Sequence, residues 1–261
     1  MNRKLLFFDI DGTLWDNESF IPESTVTAIR RARDNGHMAF INSGRSRGFI
    51  QSKELLGIGF DGIVSGCGTS FEYGGETVYY HRIENDYLAR IIEILRSFSF
   101  RPILEGREFL YMDDEEFAHE PFGQKLKREL GDRLLSIREY WGRWEVSKLS
   151  CATLAGEHQA CREALKDDFE FMVHSPEVLE MSPKGYDKGV GIRKVCEYFG
   201  ADIADTIAFG DSTNDLAMLE AAGVSVVMGN GTREAKQAAD LVTKELHEEG
   251  IFYACRKLGL I

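Results

Sequence analysis

The chain is poor in the features that take a protein out of the ordinary soluble class. Its five cysteines, Cys67, Cys151, Cys161, Cys196 and Cys255, are odd in number and scattered, with no Cys-x-x-Cys pair. They offer no zinc or dithiol redox motif and read as small buried hydrophobes in a reducing compartment. Basic residues are outnumbered, 31 against 43 acidic, for a net charge of -12. That balance leaves no basic footprint for nucleic acid and no Lys/Arg cluster for an anionic membrane. No apolar run approaches the roughly 18 residues of a membrane span, and the amino-terminal run is broken at Asp9 before a signal-peptide core could form. We therefore expect a cytoplasmic protein. Internal repeats, low-complexity tracts and linkers rich in Gly or Ser are also lacking.

What is present is 261 residues, 43% hydrophobic and 28% charged, enough for a large core domain with a second domain beside it. The chain is organised around Lys4 to Leu14, where four apolar residues stop at two carboxylates, a glycine and a hydroxyl. Such a run reads as a buried parallel strand ending in a loop. Asp9 and Asp11 then sit at the strand's carboxyl end, where open α/β sheets bind ligands. The plainer reading of Asp11-Gly12 is an ordinary Asp-Gly turn; the rest of the chain argues against it.

Strands and helices alternate from there. A helix follows Pro22, a second apolar strand runs from His37 to Asn42, a helix covers 47 to 56, and a third strand starts at Phe60. Gly74-Gly75 sits in the middle of a hairpin over 69 to 80. From Ile83 the texture changes to short strands and helices, including a strand over 144 to 151, and the strict alternation resumes only at Asp187. We expect an α/β fold: a Rossmann-like parallel-sheet core of residues 1–82 and 184–261, interrupted by an inserted α+β domain at 83–183.

Three strands of this core end in polar clusters: Asp9-Ile-Asp11-Gly-Thr13, Ser43-Gly44-Arg45 and Gly210-Asp211-Ser-Thr-Asn214-Asp215. In a parallel sheet their carboxyl ends share one edge, so the clusters can converge. Four carboxylates together repel one another unless a divalent cation sits among them. With neither His nor Cys in these motifs, that cation is hard and oxygen-preferring, and we expect Mg²⁺.

Together, Asp9-x-Asp11-Gly12-Thr13, the hydroxyl of Ser43 after a strand, the downstream Lys188 and Gly210-Asp211-x-x-Asn214-Asp215 resemble the haloacid dehalogenase-like superfamily of phosphotransferases. The long insertion and the Lys188-Gly189 pair opening a helix look like its Cof-like branch of sugar-phosphate and metabolite phosphatases. The resemblance implies a small phosphorylated substrate, with Asp9 as the nucleophile that forms an aspartyl-phosphate and Asp11 as general acid and then base. It implies that Ser43, Gly44, Lys188 and Asn214 bind the phosphoryl group. Mg²⁺ would be held by Asp9, the backbone carbonyl of Asp11 and Asp211, with Asp215 close by. The insertion would be a cap that selects substrate, with Tyr111, Arg143, Trp144 and Glu145 as candidate contacts.

Two departures stand out. Cys67-Gly68-Thr69 replaces the Asn-Gly-Ala segment common in relatives, and Ser43 stands where threonine is commoner. A sugar-phosphate mutase of the phosphomannomutase kind shares the motifs and is the first alternative; a non-catalytic binding or regulatory protein is the second. Either way we expect a monomer or small homo-oligomer.

Overall fold

Leu5–Phe8 form the first strand, β1, of the computed structural model, which describes residues 3–118, 121–152, 157–175 and 178–261. All four side chains are buried, as a strand must be when helices cover both faces of its sheet. The chain continues through α1 (Glu23–Asp34), β2 (Met38–Asn42), α2 (Lys53–Leu56), β3 (Gly62–Ser65), β4 (Ser70–Tyr73) and β5 (Glu76–Tyr80). Next come α3 (Asn85–Ser97), β6 (Arg101–Glu105), β7 (Leu110–Tyr111), α4 (Pro121–Leu130), β8 (Leu134–Leu135), β9 (Lys148–Ala152), α5 (His158–Leu165), β10 (Phe169–Ser175) and β11 (Val178–Pro183). The last stretch holds α6 (Lys188–Phe199), β12 (Thr206–Gly210), α7 (Leu216–Ala221), β13 (Val224–Val227), α8 (Arg233–Gln237), β14 (Leu241–Val242) and α9 (Gly250–Lys257).

The chain divides into two compact units. One comprises Met1–Gly44, Gln51–Tyr79 and Asp187–Ile261, the other Arg45–Ile50 and Tyr80–Tyr186. The inserted unit thus has its edges at 80 and 186, against 83 and 183 from the sequence, and takes in six residues from an earlier loop.

In the first unit the strand order is β14-β13-β12-β1-β2-β3-β4-β5. Pairing is parallel from β14 to β3, and β4 adds an antiparallel edge. The chain winds outward from β1 through β2 and β3, then returns to the other side of β1 with β12. That reversal makes the gap between β1 and β12 the topological switch point, and ligands of such sheets bind outside the strands' carboxyl ends there. On one face Leu5, Phe7, Phe40, Val64 and Ala208 pack against Ile192 and Val195 of α6 and Met218 and Leu219 of α7. Phe7 stacks on Phe40 with centroids 5.3 Å apart, and Phe8 on Phe209 at 4.5 Å. α1 buries Thr25, Ala28, Ile29 and Ala32, a helical stripe, and packs against α9. This aromatic and aliphatic packing holds the loops at the strand ends in place.

The second unit is built on a sheet of order β10-β11-β9-β6-β7-β8, antiparallel as far as β7. One face, with Leu104, Leu149, Cys151, Leu179 and Met181, packs on Leu88, Ile91, Ile92 and Leu95 of α3 and on Cys161 and Leu165 of α5. The other carries Ile103, Leu110 and Ala152 against Leu126 and Leu130 of α4.

Two expectations are corrected. The helix expected over 47 to 56 is instead a 3-10 turn at Arg47–Phe49 and the separate α2. The Ser52 side chain accepts from the Leu55 N–H and starts a new helix, while the Gly48 N–H donates to the Gly106 carbonyl at 3.1 Å. The strand expected from Trp144 begins only at Lys148. Trp144 is fully buried in the core beside α3, its Nε1–H donating to the Ile137 carbonyl at 3.0 Å, so it packs the interior rather than offering a contact to substrate. Tyr111 belongs to the same core. Among the described residues no helix is long and apolar enough to cross a membrane.

Candidate active site

Each polar cluster begins where an apolar strand ends. β12, β1 and β2 lie side by side, with Phe8 registered against Phe209 on one side and Ile41 on the other. Asp9, Ser43 and Asp211 therefore follow the ends of adjacent parallel strands, on the edge beside the switch point.

Asp9 is only 2% exposed, and its N–H donates to the Phe209 carbonyl at 2.9 Å. Lys188 enters from the first turn of α6, a helix whose N-cap is the Asp187 side chain, accepting from the Val190 N–H at 2.6 Å. Its ammonium donates to Asp9 Oδ1 at 2.7 Å, to Asp215 Oδ1 at 2.6 Å and to Asn214 Oδ1 at 3.3 Å. Asp215 Oδ2 in turn accepts the N–H groups of Asp211, at 2.8 Å, and Ser212, at 3.0 Å. One buried carboxylate thus fixes both Lys188 and the loop that carries Asp211.

Asp211 lies against the first loop. Its Oδ1 accepts from the Thr13 hydroxyl at 3.3 Å, and a Cβ at position 12 would stand 2.4 Å from its Oδ2. Gly12 also has φ +82°. The position therefore requires glycine twice over, for space and for backbone conformation. Carboxylate oxygens of Asp9, Asp211 and Asp215 all lie within 4.8 Å of one another.

The electrostatics follow from this crowding. Burial, reinforced by Asp215 and opposed by Lys188, pushes the Asp9 carboxyl well above the usual carboxylate range. Asp211 is pushed up to about 7, first by burial and then by Asp215, with Lys188 pulling the other way. For Lys188 burial works against the ammonium, but Asp215 and Asp9 outweigh it and hold its proton more tightly than in water. Two of the three carboxylates share one ammonium, and every carboxylate atom offered is oxygen. This donor set fits a hard divalent cation, which would relieve the repulsion left after Lys188 is paired.

The structure thus brings together Asp9, Asp211, Asp215, Lys188 and Asn214. Asp11 is exposed, its Oδ1 accepting the indole N–H of Trp15 at 2.9 Å, and its charge adds to the rise of Asp9 and Asp211. Ser43 and Gly44 are buried at the end of β2, the Ser43 N–H donating to the Val64 carbonyl. The Ser43 carbonyl accepts the Cys67 N–H at 3.1 Å, which ties the loop after β3 to the same edge. Cys67 itself has φ +55°, unusual for a residue with a side chain.

Sequence reasoning missed three supporting residues. Asn42, fully buried, donates to the Lys188 carbonyl at 2.9 Å and so steadies the start of α6. Asn230 donates to the Gly12 carbonyl at 2.8 Å and accepts from the Leu246 N–H. Trp15 is the third. A polar residue closing an otherwise apolar strand was a visible signal for Asn42; the other two carried none.

A doubly wound sheet with acidic loops gathered at its switch point defines the class, and the family model for haloacid dehalogenase-like hydrolases matches residues 6–255. The chain belongs to that family. It is 33% identical to "Putative phosphatase YkrA" of Bacillus subtilis (strain 168) over 264 residues, covering 100% of both chains. It is 29% identical to the 5-amino-6-(5-phospho-D-ribitylamino)uracil phosphatase YitU of the same organism, covering 95% of this chain and 94% of the relative. Among solved structures, a sugar phosphatase of haloacid dehalogenase (HAD) subclass IIB superimposes with a TM-score of 0.82 at 27% identity, covering 99% of this chain and 100% of that one.

Proposed function

We propose that the protein is a Mg²⁺-dependent phosphatase that hydrolyses small phosphomonoesters, sugar phosphates or similar metabolites, through a phosphoryl group carried on Asp9. The observation that carries this reading is the Lys188 ammonium, shared by Asp9 and Asp215 at 2.7 and 2.6 Å beside Asp211. The phosphatase names of its relatives support it.

In this reading Asp9 attacks phosphorus, the bond to the leaving oxygen breaks, and Asp11 supplies that oxygen with a proton. Water then attacks the aspartyl-phosphate, Asp11 takes the water's proton, and inorganic phosphate leaves. Lys188 favours the ionised form of Asp9 against burial and Asp215, and offsets charge on the phosphoryl oxygens. Ser43, Gly44 and Asn214 bind the phosphoryl group. Asp9 and Asp211, with the backbone carbonyl of Asp11, would hold Mg²⁺, which supplies charge neutralisation for the phosphate. Asp215 has both oxygens engaged, by Lys188 and by two backbone N–H groups; its role is to hold these partners in place. The second unit, as a cap domain, selects the leaving group.

Rapid acid quenching during turnover, followed by peptide mass spectrometry, tests the nucleophile. A phosphoryl group on the peptide containing Asp9, absent in Asp9→Asn, is expected. Full turnover by Asp9→Asn, or a phosphoryl group found elsewhere, overturns the assignment.

A further inference from the structure

Within the first unit, the loop after β1 is folded back on itself. The N–H groups of Thr13, Leu14 and Trp15 all donate to the Ile10 carbonyl, at 3.3, 2.9 and 3.1 Å, and the Gly12 N–H donates to the Trp15 carbonyl at 2.9 Å. Asp11 and Trp15 are thereby laid side by side as a bridge. From outside the loop Asn230 holds the Gly12 carbonyl at 2.8 Å, and Asn230 is itself fixed by the Leu246 N–H at 2.9 Å. The backbone that carries Asp11 is pinned from within the loop and from outside it.

Backbone alone does not orient the side chain. Asp11 is exposed, and an exposed carboxylate turns among its rotamers in water. Trp15 is 7% exposed, its ring in the core, and its indole N–H can only donate. That N–H meets Asp11 Oδ1 at 2.9 Å, a hydrogen bond to a charged acceptor, roughly twice as strong as a neutral one. A buried indole needs an acceptor, and a backbone carbonyl would satisfy it. Here the acceptor is the side chain that the phosphatase reading makes the acid. A group that gives up a proton as a bond breaks gains from being held in line with the leaving oxygen.

We infer that Trp15 is a positioning residue for proton transfer: its indole N–H holds the Asp11 carboxyl in the orientation from which it protonates the leaving oxygen. A donor at Oδ1 disfavours a second hydrogen there, so the proton is carried on Oδ2; that O–H bond breaks as the bond to the leaving oxygen forms. The inference rests on the phosphatase reading and on Asp11 as its acid. It adds the residue that orients the acid and the class of ester for which that orientation matters, those whose leaving oxygen is strongly basic.

Phenyl phosphate and p-nitrophenyl phosphate test it, being of similar shape but unlike in the basicity of the oxygen that leaves. Nitrophenolate departs without a proton, whereas phenolate profits from one. In Trp15→Phe, which keeps an aromatic ring but has no N–H, the p-nitrophenyl to phenyl ratio of kcat/KM should rise about tenfold over wild type, a part of the roughly 10²–10⁴-fold that a positioned acid supplies. Loosened packing lowers both rates and leaves the ratio standing. A ratio unchanged in Trp15→Phe but raised in Asp11→Asn overturns the inference; a ratio raised in neither overturns the acid role of Asp11 on which it stands. Should Trp15→Phe not fold, the indole N–H resonances of the three tryptophans decide: Asp11→Ala should shift one of them, and a spectrum left unmoved overturns the inference. Release of phosphate from neither ester by the wild type would instead overturn the phosphatase reading, while the resonances still test the contact itself.

Discussion

At the scale of single residues the site turns on Lys188, which is 1% exposed and held between two carboxylates. Replacing it with methionine removes the cation but keeps most of the volume, leaving Asp9 and Asp215 buried and facing each other. Breaking a buried ion pair this way costs on the order of 3–5 kcal/mol. Loss of an electrostatic contact to a developing charge costs about 10²–10³ in kcat. Lys188→Met should therefore show both a lowered melting temperature and a collapsed kcat; a kcat within a few-fold of wild type would show that the ammonium serves the fold alone. Much of this site was legible in the sequence because each element of it follows an apolar strand: Asp9 after β1, Ser43 after β2, Asp211 after β12. Lys188 was visible only as a helix start, and its burial came from the structure. Asn42 and Asn230 act across 146 and 218 residues of chain, a separation over which no local pattern connects them. Asp11 was placed correctly on the loop, but its tie to Trp15 depends on how that loop turns.

At the scale of elements, periodicity succeeded where an element buries one regular stripe. α3 is such an element: Leu88, Ile91, Ile92 and Leu95 fall on one face. Periodicity failed where tertiary contacts outweigh local pattern. The alternation from Arg143 onward looks like a strand, yet Trp144 turns into the core and the backbone around it bonds irregularly: the Trp144 carbonyl accepts from Arg82 at 3.0 Å and the Val146 carbonyl from the Ile83 N–H at 2.8 Å. This gives Trp144 a structural weight that the sequence did not suggest. Trp144→Ala should destabilise the second unit by about 3–5 kcal/mol through the cavity it leaves, measured by denaturant unfolding. A loss below about 1 kcal/mol, with substrate affinity impaired instead, would restore it as a ligand contact.

For the molecule as a whole, a net charge of -12 must be reconciled with an anionic substrate, and the reconciliation is local. Burial and mutual repulsion raise the Asp9 carboxyl well above its ordinary value and push Asp211 up to about 7. A carboxyl whose folded value is raised contributes stability that is fully present below its unfolded value and lost as pH rises through the folded one. The metal-free protein should accordingly lose stability between about pH 4 and 7 as Asp211 ionises, with a loss of the same sign from Asp9. A cation that needs the ionised carboxylates should stabilise more as pH rises. Thermal melts with and without Mg²⁺ at pH 6 and pH 8 check this: the gain on adding metal should be larger at pH 8. An equal gain at both would mean that Mg²⁺ does not bind at these carboxylates.

The most direct measurement is release of inorganic phosphate from p-nitrophenyl phosphate and a panel of sugar phosphates, with Mg²⁺ and with a chelator, for the wild type and for Asp211→Ala. Phosphate release that the chelator abolishes, that Mg²⁺ restores, and that in Asp211→Ala demands far more Mg²⁺ is the result expected of a metal-dependent phosphatase built on these aspartates. Release that is indifferent to chelator, or an unchanged Mg²⁺ requirement in Asp211→Ala, would contradict it.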